Sequence, residues 1–266
     1  MVTLKRKMIY ITAAVLLCIG VVMTVAAYPF RTEQVQKVQP SHKDIIKKSP
    51  VHIVGIGDSL TKGVGDPKNG GYFGDFTNHL KTLDTVSKVT VNNFGITGDT
   101  TSDLLKVLDR EDVKKQIKNA NIICLTIGGN DLVNVLKSNF LNLKQGDFVS
   151  ERNQFQKNFN NIIQKIRQEN TSATIYYFGL YNPFQDYLDK DLNKEFFDIL
   201  HEWNNASQHI LSMYSHTVFI PTEDIFKGKT NALLYKDHFH PNPKGYQLMT
   251  KRLLSYYEAY KVKNAS

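Results

Sequence analysis

The 266-residue sequence predicts an α/β fold: a five-stranded parallel sheet with helices on both faces. Two observations predict it. Five short apolar runs rich in β-branched and aromatic residues are spaced along the chain, and stretches of helical length separate them. Strand–helix alternation repeated in this way gives parallel strands joined by crossover helices. A third observation bears on function. Turns carrying Gly, Ser and Asn follow the first three runs directly, which is where ligands bind in such sheets.

Taken in chain order, residues 1–27 come first. Lys5, Arg6 and Lys7 precede a stretch from Met8 to Phe30 that holds no charged residue. An apolar run of this length is enough to cross a hydrocarbon core of roughly 30 Å as a helix. The basic cluster before it predicts a cytoplasmic N-terminus and a chain that continues outside. Two fates fit, a retained signal-anchor or a signal peptide cut after Ala27. The protein is therefore expected to be exported, either anchored on the outer face of the cytoplasmic membrane or secreted. Residues 28–50 are polar, rich in Gln and Lys and without hydrophobic periodicity, as expected of a tether.

One domain is expected over residues 51–263. Its strands are read at 51–56, 89–94, 122–127, 173–178 and 217–220, where apolarity is continuous rather than alternating, as in strands covered on both faces. Helices are expected over 72–83, 101–118, 131–138, 151–169, 192–214 and 243–260. Of the two cysteines, only Cys124 lies in this domain, within an apolar strand, so it reads as a core residue and no internal disulfide forms.

Composition excludes several classes. With 41% hydrophobic and 22% charged residues, 16 Gly and 8 Pro, the chain is neither collagen-like, nor a coiled coil, nor wholly disordered. The net charge of +8 suggests a nucleic-acid binder at first sight. Setting residues 1–27 aside leaves 30 basic against 25 acidic residues, scattered and without an Arg-rich stripe, so no nucleic-acid partner is expected.

Four motifs carry chemistry. Gly57-Asp58-Ser59-Leu60 follows the first strand and puts Ser59 at a tight turn, as a nucleophile or as a helix cap. Thr61 stands where an α/β-hydrolase nucleophile elbow needs glycine, and Leu60 where a dinucleotide fingerprint needs its third glycine. Asn93-Phe94-Gly95-Ile96-Thr97-Gly98-Asp99-Thr100 follows the second strand, and Gly95 offers a backbone N–H to a developing oxyanion. Gly128-Gly129-Asn130-Asp131 follows the third, with Asn130 as an amide donor or an N-cap. Asp237-His238-Phe239-His240-Pro241-Asn242 precedes the last helix; an Asp and a His three apart can form the orienter-and-base half of a serine triad.

In this order, each of the first three at a strand end, the motifs resemble the SGNH (GDSL-type) esterase and lipase family over about residues 51–262. The resemblance implies a flavodoxin-like three-layer α/β/α sandwich and a carboxylic ester hydrolase. It makes Ser59 the nucleophile, His240 the base and Asp237 its orienter. It makes the Ser59 and Gly95 backbone N–H groups and the Asn130 side chain the oxyanion hole. No cofactor and no metal are expected. The substrate implied is a small-molecule or lipid ester, such as an acyl lipid, a lysophospholipid or an O-acetyl ester on cell-wall polymer. Residues 139–150, Phe184 and Tyr187 are candidates to flank the acyl group.

Two other functions fit parts of the same pattern. A non-catalytic surface-binding protein would keep the fold without reactivity at Ser59. A metallophosphoesterase would use Asp58, Asn130, His238 and His240, but no Asp-x-His precedes Asp58 and the Asn130 motif lacks a following histidine.

Overall fold

Strand β1 (Ser49–Gly57) is an interior strand of the sheet and is fully buried from Ile53 onward. The computed structural model describes residues 48–138 and 145–264. The expected membrane segment at 1–27 and all but the last three residues of the expected tether lie outside these residues. Among the described residues no helix is long and apolar enough to cross a membrane.

The chain runs from β1 through α1 (Ser59–Lys62) and α2 (Gly71–Thr82) to β2 (Val86–Gly95), then α3 (Thr101–Leu108), α4 (Glu111–Asn119) and β3 (Ile122–Thr126). Helices α5 (Gly129–Ser138) and α6 (Gln145–Glu169) lead to β4 (Thr174–Phe178), and α7 (Lys190–Ser212) leads to β5 (Thr217–Ile220). The short helices α8 (Glu223–Phe226) and α9 (Thr230–Leu233) precede the closing helix α10 (Pro243–Asn264). All pairings are parallel, and the order is β2-β1-β3-β4-β5. This is the doubly wound flavodoxin-like order, with its switch point between β1 and β3.

Period-2 alternation along the strands builds two cores. Ile123, Leu125, Ile175 and Tyr177 face a layer made by α3 to α7, including Leu104, Phe155, Phe159 and Trp203. Ile122, Cys124, Tyr176 and Phe178 face the opposite layer, made by α2 and α10 with Phe76, Tyr246 and Leu253. Each such side chain contributes about 1.5–3 kcal/mol when fully buried, so a domain with no disulfide has ample core. Cys124 is itself fully buried and free, and burial pushes its thiol far above the ordinary range.

Three expectations need adjusting. Strand β2 is an edge strand in which only Gly95 is buried, and Thr90, Asn92 and Asn93 within it fit that position. The single helix expected over 101–118 is two, because Arg110 adopts extended backbone (ψ 134°) and pairs its guanidinium with Asp112 at 2.6 Å. Helix α6 begins at Gln145 rather than at residue 151.

Candidate active site

At the C-terminal end of β1 the chain turns at Gly57, and Asp58 caps α1 by accepting the Leu60 N–H at 3.0 Å. This cap places Ser59, 2% exposed, as the first residue of α1, beside the switch point. Thr126 at the end of β3 fixes the turn from the other side. Its hydroxyl donates to Asp58 Oδ1 at 2.7 Å and accepts from the Thr61 N–H at 3.2 Å. Burial raises the Asp58 carboxyl above its ordinary range.

The histidine loop is built just as tightly. Tyr235 donates its N–H to the His240 carbonyl at 2.7 Å, and Asn242 caps α10 by accepting the Gly245 N–H at 3.0 Å. Asp237 Oδ1 accepts the N–H groups of Phe239 and His240, each at 3.0 Å, leaving Oδ2 for the imidazole. His240 Nδ1 lies 2.7 Å from Asp237 Oδ2, and His240 Nε2 lies 2.8 Å from Ser59 Oγ. The structure thus brings together three side chains separated by up to 181 residues in an unbroken Ser–His–Asp relay. Burial pulls the Asp237 carboxyl upward, but the bonds from His240 and the two backbone N–H groups outweigh it and hold the group below its ordinary range. His238 is turned away; its Nδ1 meets the Tyr187 hydroxyl at 2.6 Å.

Asn130 stands at the start of α5 and donates Nδ2–H to the Asp99 carbonyl at 2.8 Å. An amide nitrogen has two hydrogens, so one remains for a ligand. The next residue, Asp131, is 3% exposed and reaches the same loop, accepting the Thr101 N–H at 3.0 and 3.1 Å and the Thr101 hydroxyl at 2.5 Å. Burial raises the Asp131 carboxyl above its ordinary range. Asn158 of α6 closes the network with bonds to Thr101 Oγ1 and Ser102 Oγ. Asn130 and Asp131 therefore grip the loop after β2 at two points.

Gly95 sits differently from the expectation. Its N–H is already donated to Asn93 Oδ1 at 2.8 Å, and its Cα is pressed so close to α1 that a Cβ would lie 2.4 Å from the Lys62 nitrogen. It lets β2 approach the serine turn. Gly98, the second glycine of the motif, has a left-handed φ of 90° and open space where a Cβ would stand. No acceptor for the Gly98 N–H or the Ser59 N–H occurs among the described residues. The signal was present in the sequence: Thr100 and Asp103 form a capping box for α3, which makes 96–100 the strand-to-helix loop and Gly95 the last strand residue.

An apolar cleft of about 600 Å³, counting the part open to solvent, starts at Ser59 and Asn130. Leu132, Phe178, Leu180, Phe184, Phe196 and Phe239 contribute to its walls. Phe184 lines the cleft, as its position after the fourth strand predicts. Phe148 instead packs in the core, and residues 139–144 lie outside the described residues. Among the described residues no group of three or more His, Cys, Asp or Glu side chains is arranged to hold a metal ion.

Comparison with known proteins bears on the family and the fold. The GDSL-like lipase/acylhydrolase family model matches residues 56–248. The chain is 36% identical to the uncharacterized protein YpmR of Bacillus subtilis over 91% of this chain and 92% of that protein. It is 28% identical to the spore germination lipase LipC of Bacillus licheniformis over 74% and 92% of the respective chains. Among solved structures, the lipase Lip_vut3 from a goat rumen metagenome matches with a TM-score of 0.66 and 26% identity, covering 77% of this chain and 96% of that one. The acetyl-xylooligosaccharide esterase Axe2 of Geobacillus shares the fold at a TM-score of 0.59 and 18% identity, over 79% and 94%. The chain belongs to the GDSL-like lipase/acylhydrolase family and is a carboxylic ester hydrolase on the SGNH fold.

Proposed function

We propose that Ser59, His240 and Asp237 hydrolyse carboxylic esters through a covalent acyl-enzyme. The observation that carries this reading is the 2.8 Å contact between Ser59 Oγ and His240 Nε2, backed by the 2.7 Å contact from His240 Nδ1 to Asp237. His240 Nε2 takes the hydroxyl proton as Ser59 Oγ bonds to the ester carbonyl carbon. The carbonyl oxygen becomes an oxyanion, bound by the Ser59 N–H, the Gly98 N–H and the second Asn130 Nδ2 hydrogen, with Gly98 taking the place expected of Gly95. Collapse breaks the ester C–O bond, and His240 returns the proton to the departing alcohol. Water then repeats the sequence and releases the acid.

The acyl group is an aliphatic chain, as in an acyl lipid or lysophospholipid. Apolar side chains dominate the lining of the cleft beside Ser59, which suits an aliphatic acyl group. The likeness to a lipase from Bacillus licheniformis supports the same choice. Export follows from the apolar run at 8–30 in this proposal, and protease accessibility on intact cells tests it. The chemistry is tested by hydrolysis of p-nitrophenyl butyrate. The wild-type protein turns it over and Ser59→Ala does not, while retaining the wild-type melting temperature. Near-full activity in that variant would remove Ser59 from the mechanism.

A further inference from the structure

Two residues that this chemistry leaves unused face each other beside the acyl cleft. The Tyr187 hydroxyl lies 2.6 Å from His238 Nδ1, and the two rings meet edge to face with centroids 5.4 Å apart. His238 holds this position with a left-handed φ of 56°, a region that histidine enters more readily than most side chains. Tyr187 keeps a large ring 56% exposed to make the contact.

The placement of the pair relates it to the cleft. Tyr187 belongs to the turn that presents Phe184, since the N–H groups of Tyr187 and Leu188 both donate to the Phe184 carbonyl. His238 immediately precedes Phe239. Phe184 and Phe239 both line the cleft, with ring centroids 6.1 Å apart. On the same wall, the Tyr181 hydroxyl donates to the Phe239 carbonyl at 2.7 Å. The rest of the 184–188 turn is tied elsewhere: Gln185 donates to the Phe226 carbonyl, and Asp186 accepts from Thr230 and Asn231.

We propose that Tyr187 and His238 form a latch that holds Phe184 against Phe239 and thereby limits the length of acyl chain the cleft accepts. This rests on the esterase reading above. A chain too long for the closed cleft must part the two phenylalanine rings, and the latch opposes that separation. A short chain does not disturb it. One hydrogen bond of this kind is worth roughly two- to tenfold in an equilibrium, which sets the size of the effect.

The experiment compares kcat/KM for p-nitrophenyl decanoate and p-nitrophenyl butyrate, at concentrations where both are monomeric, in the wild type, Tyr187→Phe and His238→Asn. Tyr187→Phe keeps the ring and removes only the hydroxyl; asparagine tolerates left-handed backbone and removes the imidazole. Both positions are exposed, so the fold is retained, and melting temperatures verify this. The decanoate-to-butyrate ratio rises about two- to tenfold in both variants, while kcat/KM for butyrate stays within about twofold. An unchanged or reduced ratio in both variants, with normal wild-type turnover, overturns the latch alone. Absence of Ser59-dependent hydrolysis in the wild type overturns the esterase reading and the latch together.

Discussion

Replacing Asp131 with alanine tests how the proposed oxyanion hole is held together. Asp131 takes the Thr101 N–H and hydroxyl at 3.1 Å or less, and both residues are almost wholly buried. A charge-assisted hydrogen bond contributes about 1.5–3 kcal/mol, and a buried donor left without an acceptor costs about 1–3 kcal/mol. Relief of the buried carboxylate offsets part of this, since burial already raises that group's pKa. The net loss is about 3 kcal/mol, or roughly 6–12 °C in melting temperature for a domain of this size. The consequence for catalysis is separate. Asn130 is fixed by its 2.8 Å bond to the Asp99 carbonyl, and the Asp99–Thr101 segment is fixed by Asp131. Loosening that segment frees the amide from its aim, so kcat for p-nitrophenyl butyrate falls about tenfold or more while KM stays within about twofold. This loss is smaller than the roughly 10²–10³ expected for deleting a donor. Differential scanning fluorimetry and steady-state kinetics on the same preparation provide both readings. A drop in melting temperature with unchanged kcat would refute the positioning role, and no change in either would refute the two-point grip.

Other outcomes follow from the same geometry. Asn130→Ala lowers kcat about 10²–10³-fold with little change in KM, measured by steady-state hydrolysis; a rise in KM alone would place the amide in ground-state binding. Asp237→Asn lowers kcat on the order of 10⁴-fold, because an amide cannot fix the His240 tautomer as the carboxylate does; the same assay shows it. The pH dependence of stability carries its own sign. Because the folded protein raises the Asp131 carboxyl, it binds that proton more tightly than the unfolded chain does. Stability from this group is therefore gained as pH falls from neutral through the raised folded value towards the unfolded one near 3.8. Asp131→Asn lacks that gain, so the wild-type melting temperature rises relative to the variant's on acidification. A constant difference between pH 7 and pH 4 contradicts the shift.

The parts of the site legible in the sequence are those encoded locally. Ser59 follows an apolar run and a glycine, and Asp237 and His240 share one loop, so short motifs suffice to find them. Gly95 and Gly98 show the limit of such motifs. Both glycines fit the pattern, and only the packing of β2 against α1 shows that one N–H is spent and the other is free. Thr126 and Asp131 tie segments 68 and 30 residues distant, through contacts that exist only once the sheet has formed. The fold class was readable because strands and helices differ in period. The exposure of β2 was harder, since an edge strand differs from a central one chiefly in its neighbours. The break between α3 and α4 carries neither Gly nor Pro; it coincides with Asp109 paired to Lys165 of α6 and Arg110 placed 6.0 Å over the Phe94 ring.

The central claim is that Ser59 is a nucleophile activated by His240, and covalent labelling tests it most directly. The wild-type protein, incubated with a fluorophosphonate and analysed by intact mass and peptide mapping, acquires one adduct, on Ser59. Labelling is lost in Ser59→Ala and slowed by orders of magnitude in His240→Ala, which lacks the base 2.8 Å from Ser59 Oγ. An unmodified wild-type protein, or an adduct that persists in Ser59→Ala, would contradict the account.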